Sequence, residues 1–266
     1  MTEEGMDFES CFVTIKGKIA TVKLNRPDKM NALNPELFKG ISESFAYLAS
    51  EDKVRSVILA GAGEHFSAGG DVEKDINPLR TKSVKEFRAY FEPLAELYEM
   101  IFNFGKPTIA AVNGYALGAG MELALMCDIR IAADNVRMGE FFVRMGLVPE
   151  TGMCMLPKIV GLGMAKLICM TGDLIDSKEA LRIGLVEKVV PAEDLIPEAE
   201  KLALRFSNSP ASVGIIKRAI NEFAAMPYEA TESAQIGYQF EAVKTADHAE
   251  AVIAFMEKRK PLFRGE

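Results

Sequence analysis

The sequence predicts an α/β fold in which strands and helices alternate, followed by a mostly helical C-terminal part. Two apolar runs of strand length, Val54–Ala60 and Thr108–Val112, are each followed by a glycine-containing turn. After Pro157 the apolar residues recur mainly at helical spacing, and 186–190 is the last clear strand. We therefore predict stacked βα units in a core region, 1–190, and a helical region at 191–266.

The first predicted elements are a pair of strands and a capped helix. Residues 12–15 and 19–24 are rich in apolar side chains and flank the turn Lys16-Gly17-Lys18, which favours an antiparallel pair. Asn34 followed by Pro35 is typical of a helix N-cap and its first residue. Apolar side chains at helical spacing then predict the buried face of this helix: Leu37, Ile41, Phe45 and Leu48.

The later elements follow from the same spacing rules. We expect a long helix over 84–104 and a further strand over 129–132. The C-terminal helices are expected near 191–206 and 210–225, with two more after Pro227. Each carries apolar residues along one side, so these helices are expected to cover another surface.

The composition is typical of a globular protein. Its 266 residues are 49% hydrophobic and 26% charged, which is enough to form a large core and argues against disorder. A net charge of −7 without a long basic run argues against nucleic acid as the main partner. The longest uncharged stretch, 107–121, is too short and too rich in glycine to predict a membrane span.

The cysteines, the histidines and the first residues bear on metal chemistry and location. Cys11, Cys127, Cys154 and Cys169 lack the paired spacing of metal sites, and two histidines argue against a histidine-rich metal centre. The first ten residues are acidic and lack an apolar core, so no signal peptide is expected. We therefore predict a cytoplasmic location, no metal and no separate cofactor.

A glycine-rich turn at 112–120 leads into an apolar helix that carries one carboxylate, Glu122. The first N–H groups of a helix have no partner inside it, so they can bind a developing anion. Gly118 and Gly120 are equally compatible with close packing alone, which would leave Glu122 as a solvated first-turn acid. Leu123 stands where a dinucleotide-binding turn needs its third glycine, which argues against that function.

A second glycine turn, Ser67-Ala68-Gly69-Gly70-Asp71, follows the strand-like run 54–60. Two such turns at strand ends predict a pocket with two backbone donors. A pocket of this kind stabilises an oxyanion on a carbonyl, and loss of one preorganised donor typically costs ~3 kcal/mol in the transition state.

Both turns resemble the enoyl-CoA hydratase/isomerase (crotonase) superfamily. Further similar segments, in order along the chain, are 24–33 (LNRPDKMNAL), 146–150 (GLVPE) and 254–261 (AFMEKRKP), so the resemblance covers nearly the whole chain. It implies a crotonase-like spiral of repeated ββα units with a C-terminal helical trimerisation region. It also implies self-association as a homotrimer or as a hexamer built from two trimers.

The resemblance implies roles for the two turns. The backbone N–H groups of Ala68 and Ala119 would hold the thioester oxygen of an acyl-CoA, on which negative charge accumulates as an enolate. Many members have glycine where Ala119 stands, but alanine retains the donor. Glu122 falls on one of the two carboxylate positions of the hydratases, as the base that takes a proton from water. Its apolar neighbours are expected to raise its pKa toward neutrality.

The second hydratase carboxylate would fall near Phe142, where this chain has no acid. Two acids lie close in sequence, Glu140 and Glu150. Glu150 occupies a position that carries a functional acid in some isomerases, hydrolases and dehalogenases of the superfamily, so it is predicted to assist Glu122. The alternatives are a solvent-facing charge for Glu140 and a turn residue for Glu150.

Further substrate and CoA contacts are implied by the resemblance at Arg26, Lys29, Ala32, Ser67, Gly70, Asp71, Phe142, Phe255 and Lys258. Arg26 and Lys29 match the segment that approaches CoA, and Lys29 is the stronger candidate. Phe255 and Lys258 match residues that a terminal helix brings to a neighbouring subunit's nucleotide. His65 is expected to be a loop residue rather than a group that polarises the substrate.

Three functions remain open from the sequence. The first is reversible hydration of a 2-enoyl-CoA, a lyase reaction of fatty acid metabolism, with Glu122 as base and coenzyme A as part of the substrate. The second is another reaction of the same enolate, such as isomerisation or hydrolysis. The third is noncatalytic acyl-CoA binding, against which Glu122 beside two donor turns argues.

Overall fold

A computed structural model describes residues 3–266, without the side chains of residues 3, 4, 228, 229 and 232. The strands are β1 (Glu3–Phe8), β2 (Cys11–Lys16), β3 (Ile19–Leu24), β4 (Ser56–Gly61), β5 (Thr108–Val112), β6 (Tyr115–Leu117), β7 (Ile129–Ala133), β8 (Arg137–Gly139), β9 (Ile175–Asp176) and β10 (Lys188–Val190). They form a seven-stranded sheet of order β1-β2-β3-β4-β5-β7-β10 and a three-stranded sheet of order β6-β8-β9.

The α-helices include those that were predicted. They are α1 (Pro35–Ser50), α2 (Asn77–Leu79), α3 (Val84–Phe102), α4 (Ala119–Met126), α5 (Gly152–Val160), α6 (Leu162–Thr171), α7 (Ser177–Arg182), α8 (Leu195–Ser207), α9 (Ser212–Phe223), α10 (Tyr228–Val243) and α11 (Ala246–Met256). Short 3₁₀ turns lie at Pro27–Lys29, Phe141–Met145 and Ala192–Asp194, and a π-helical turn at Val72–Ile76. None of the helices within residues 3–266 is long and apolar enough to cross a membrane.

The predicted strand pair and capped helix are confirmed. Strands β2 and β3 are antiparallel, and the Asn34 side chain accepts a hydrogen bond from the N–H of Leu37 at 2.9 Å. The predicted apolar stripe of α1 is buried. Strand β1, which pairs with β2 at the sheet edge, was not predicted, because its acidic sequence lacks a clear apolar alternation.

Helices cover both faces of the large sheet. Side chains alternate along β4, so that Val57 and Leu59 join the main core with α1 and α3 while Ile58 and Ala60 face α8. Because both faces of the sheet are buried here, the sequences of β4 and β5 are continuous apolar runs. Helix α8 lies after residue 190 but packs against this sheet. The boundary at residue 190 between a core region and a helical region therefore stays a prediction.

The two glycine turns lie side by side. Ser67 donates its N–H to the carbonyl of Tyr115 at 2.9 Å, and Leu117 donates back to the carbonyl of Ser67 at 3.0 Å. Gly120 permits this approach, because a Cβ at that position would lie 2.6 Å from the Cβ of Ser67. Gly118 has φ of 48°, a left-handed conformation that favours glycine where α4 begins.

Candidate active site

Two backbone N–H groups are left without an acceptor where the glycine turns meet. Ala119 begins α4, and neither its N–H nor that of Gly70 is bonded to any described residue. The turns are in contact here: a Cβ on Gly69 would lie 2.7 Å from the carbonyl oxygen of Leu117 and 3.9 Å from the nitrogen of Ala119. This arrangement supplies two donors at one wall of a cavity.

The prediction that Ala68 supplies one donor is wrong in this structure. Its N–H already donates to the carbonyl of Met30 at 2.9 Å. The neighbouring N–H of Gly69 bonds the hydroxyl of Ser67 at 3.2 Å. Gly70 is therefore the residue of this turn whose N–H can serve a ligand, and the sequence could not distinguish three consecutive amides.

A cavity of about 400 Å³ opens beside these donors. Its wall is mainly apolar and contains the predicted Phe142 and Gly70 together with Phe38, Ala68, Gly69, Val72, Asp75, Ile76, Leu79, Phe87, Phe91, Leu94, Gly118, Ala119, Phe141, Met145, Leu147, Val148, Pro149 and Glu150. Glu150 and Asp75 are the ionisable side chains in this wall. A mostly apolar cleft with a few polar groups is typical of a small-molecule site.

Glu122 lies directly behind the wall and is fully buried. Its Oε1 accepts hydrogen bonds from the N–H groups of Glu150, at 2.8 Å, and of Gly152, at 2.7 Å, while Oε2 has no partner among the described residues. Burial raises the pKa of Glu122 to about 7, although the two N–H donors oppose the rise. The predicted direction of this pKa is therefore confirmed, and one oxygen remains available for a proton.

Glu150 faces the cavity, so the structure places it where the sequence predicted. Burial, and next the charge of Glu122, raise the pKa of Glu150 to about 8. Glu150 is thus expected to keep its proton at a pH at which Glu122 has lost its own. Two carboxyls with separated pKa values are suited to act as a base and an acid.

Glu140 is not the solvent-facing charge that the sequence allowed. It is fully buried, and neither carboxyl oxygen has a hydrogen-bond partner among the described residues. Burial, and next the charges of Glu122 and Glu150, raise its pKa well above the ordinary range. A Cβ on Gly152 would lie 2.5 Å from Glu140 Oε1 and 2.9 Å from Glu122 Oε1, so both carboxyls converge on this glycine. We call Glu122, Glu140 and Glu150 the acid cluster.

Asp75 was missed by the sequence analysis. It lies on the turn Val72–Ile76, which is π-helical, and accepts a hydrogen bond from the Tyr90 hydroxyl through Oδ1. Burial raises the pKa of this carboxyl. Its position four residues after Asp71 was the only sequence signal, since that spacing places both acids on one side of a helical turn.

Arg26 and Asp71 bind each other rather than the cavity. The guanidinium of Arg26 lies 2.9 Å from the Asp71 carboxylate and also donates to the carbonyl of Ala32. Ser67 is buried and donates its hydroxyl to the carbonyl of Asn31 at 2.8 Å. Arg26, Ala32, Ser67 and Asp71 therefore hold the loops around the glycine turn at 67–71 in place.

The remaining predicted residues lie away from the cavity wall. Lys29, Phe255 and Lys258 are exposed, Phe255 with 85% of its surface accessible. His65 stacks on Tyr115 with ring centroids 4.8 Å apart, and its Nδ1 accepts from the Tyr115 N–H at 3.2 Å. The described residues contain no cluster of three side chains suited to hold a metal ion.

Two free N–H donors, an apolar cavity and an acid cluster define an enzyme class that forms an oxyanion on a bound acyl group. The comparisons with known proteins agree with this assignment. Residues 14–266 match the enoyl-CoA hydratase/isomerase family, and the chain belongs to this family.

Curated relatives and solved structures cover nearly the whole chain. The short-chain-enoyl-CoA hydratase of Clostridium acetobutylicum is 38% identical, over 96% of this chain and 97% of the relative. The 1,2-epoxyphenylacetyl-CoA isomerase of Escherichia coli is 33% identical, over 93% and 95% respectively. The crystal structure of enoyl-CoA hydratase from Bacillus anthracis has a TM-score of 0.89 and 31% identity, covering 97% of this chain and all of the other. The predicted superfamily and fold are thereby confirmed.

Proposed function

We propose that this protein is an enoyl-CoA hydratase, which adds water reversibly to a 2-enoyl-CoA. The observation that carries the proposal is the acid cluster beside the two free N–H groups of Gly70 and Ala119. These donors would bind the thioester oxygen and stabilise the enolate. Relatives at 38% identity over nearly the full chain are named short-chain-enoyl-CoA and crotonyl-CoA hydratase, which supports the same reaction.

The raised pKa values of Glu122 and Glu150 support the following proton steps. Glu122 takes a proton from water as the water oxygen bonds to the β-carbon, and the electrons of the double bond move onto the thioester oxygen. The enolate then collapses and its α-carbon takes the proton of Glu150. The proton gained by Glu122 passes to Glu150, which restores both groups. The product is a 3-hydroxyacyl-CoA, and no metal or separate cofactor enters these steps.

The test is turnover of crotonyl-CoA and of longer, cyclic and aromatic 2-enoyl-CoAs, followed by loss of the conjugated absorbance and identification of the product. We expect a 3-hydroxyacyl product, and Glu122→Gln should lower kcat/KM by about 10³-fold because it removes the base. Glu96→Gln, on the exposed side of α3, is the matched control and should retain activity. Absence of hydration across the whole panel would contradict the proposal.

Isomerisation of an acyl-CoA is the second candidate, and one observation favours it. Glu150 is the member of the acid cluster that lines the cavity, whereas Glu122 lies behind it. A single carboxyl that removes and returns a proton suffices to move a double bond. Conversion of a 3-enoyl-CoA to its 2-enoyl isomer, without water uptake, would identify this activity.

The proposal also covers the oligomeric state, the CoA contacts and the cellular location of the protein. Exposed apolar side chains on the C-terminal helices, among them Ile236, Phe240 and Phe255, support self-association, and the family resemblance favours a homotrimer or hexamer. Lys29 and Lys258 are exposed and thus available to phosphate groups of CoA. The four free cysteines agree with the predicted reducing cytoplasm.

A further inference from the structure

Asp75 is an unusual residue for the wall of an apolar cavity. Only 8% of its surface is accessible, and it lies in the cavity wall. Tyr90 donates its hydroxyl to Oδ1, but no described residue donates to Oδ2. A Cβ on Gly70 would lie 2.5 Å from this oxygen, so the unpaired oxygen of Asp75 is adjacent to the glycine that offers one of the free N–H donors.

Packing alone does not account for an acid at this position. The neighbouring wall is built from Ile76, Leu79, Phe87 and Phe91, and an aliphatic side chain would match them. The oxygen Oδ2 has no protein donor and is not sealed in the core, so a donor on a molecule in the cavity could reach it. The other ionisable group in the wall, Glu150, and the nearby Asp71 are also acids, so they supply no compensating charge.

We propose that Asp75, held in place by the hydroxyl of Tyr90, forms a subsite for a hydroxyl group on the acyl chain, so that the preferred substrate is a hydroxylated 2-enoyl-CoA. The substrate hydroxyl donates to Oδ2 of Asp75, which completes the hydrogen bonding of this carboxyl. An ammonium group fits less well, because it needs three acceptors among mostly apolar side chains. This inference rests on the proposed function, in which Gly70 binds the thioester oxygen, and the position of the hydroxyl along the acyl chain is what the hydroxylated ligands below compare.

The experiment measures binding of saturated analogues, so that it does not depend on turnover. Isothermal titration compares hexanoyl-CoA with 4-, 5- and 6-hydroxyhexanoyl-CoA on the wild-type protein, Asp75→Leu and Asp75→Asn. We expect at least one hydroxylated ligand to bind the wild type about tenfold more tightly than hexanoyl-CoA. Asp75→Leu should remove this preference without weakening hexanoyl-CoA, whereas Asp75→Asn retains part of it through its amide oxygen.

A matched control and a turnover assay separate the outcomes. Glu73→Gln changes an exposed acid of the same turn and should leave the preference intact. The subsite is refuted if no hydroxylated ligand is preferred, if Asp75→Leu weakens all ligands equally, or if 6-aminohexanoyl-CoA binds most tightly. Crotonyl-CoA turnover without a hydroxyl preference contradicts only the subsite. A hydroxyl preference without hydration of any 2-enoyl-CoA contradicts only the hydratase function.

Discussion

Asp247 in α11 and Glu140 in the acid cluster are both buried acids, but hydrogen-bond donors surround only Asp247. Its carboxylate accepts from the N–H groups of Ala211, Arg264 and Gly265 at 2.9, 2.7 and 2.7 Å. Both oxygens of Glu140 lack a partner among the described residues. The first arrangement fixes the C-terminal segment against α9, whereas the second keeps a carboxyl next to Glu122 and Glu150 at a cost in stability. The hydrogen-bond donors around a buried acid, rather than its burial alone, therefore indicate whether its role is structural.

Among the variants that test this comparison of buried acids, Asp247→Ala is expected to have the largest effect. It leaves three N–H groups without their acceptor, so the free energy of unfolding should fall by about 3 kcal/mol. Chemical denaturation checks this value. Activity per folded molecule and its pH optimum should be unchanged, and a shifted pH optimum would show that Asp247 is not purely structural.

Glu150→Gln should reduce kcat/KM by about 10²-fold, because the proton donor is lost. In the wild type, Glu122 must be ionised and Glu150 protonated, so activity should rise through a pH of about 7 and decline above about 8. The variant should lose the decline above about 8 and keep the lower limb. A pH–rate profile of kcat/KM distinguishes these cases, and retention of both limbs would argue against Glu150 as the acid.

Gly152→Ala tests the convergence of the acid cluster. The added methyl group would lie 2.5 Å from Glu140 Oε1, so it should displace the carboxyls and lower kcat/KM by about 10-fold or more. Gly163→Ala in α6 is the control, because its new Cβ meets no atom within 4 Å. That variant should keep full activity and gain about 0.5–1 kcal/mol of stability. Equal activities of the two variants would mean that the space at Gly152 is not required.

Glu140→Gln should give the smallest effect, and its size depends on pH. The pKa of Glu140 is raised in the folded protein, so below about pH 4.5 both folded and unfolded chains hold the proton and the carboxyl has no effect. As pH rises further, only the unfolded chain releases it, and the wild type loses stability.

Denaturation at pH 5 and pH 8 measures this loss. The variant should gain about 1 kcal/mol relative to the wild type at pH 8 and less at pH 5. Glu96→Gln should show no such pH-dependent gain. A variant that is less stable at pH 8 would show that the ionised carboxylate has an unrecognised donor.

Local patterns predicted most of the elements that position the site. The Asn34 cap, the stripe of α1 and the strand before Asn113 all follow from short-range spacing and were confirmed. The resemblance of the glycine turns to the family indicated Ala119 as a backbone donor. Glu150 lies in the cavity wall as predicted. The assignment of Ala68 failed because the direction of one amide among three depends on its contact with Met30, which lies 38 residues away.

The sequence by itself determined the family, the order of the main strands and helices, and the presence of a carboxylate beside a donor turn, because these depend on residue types at short spacing. Only the tertiary structure decided which N–H groups remain free, that Glu140 is buried rather than exposed, and that Asp75 lies beside Gly70. These properties arise when segments distant in the chain pack together and exclude water, since that packing sets both the hydrogen-bond partners and the pKa of each carboxyl.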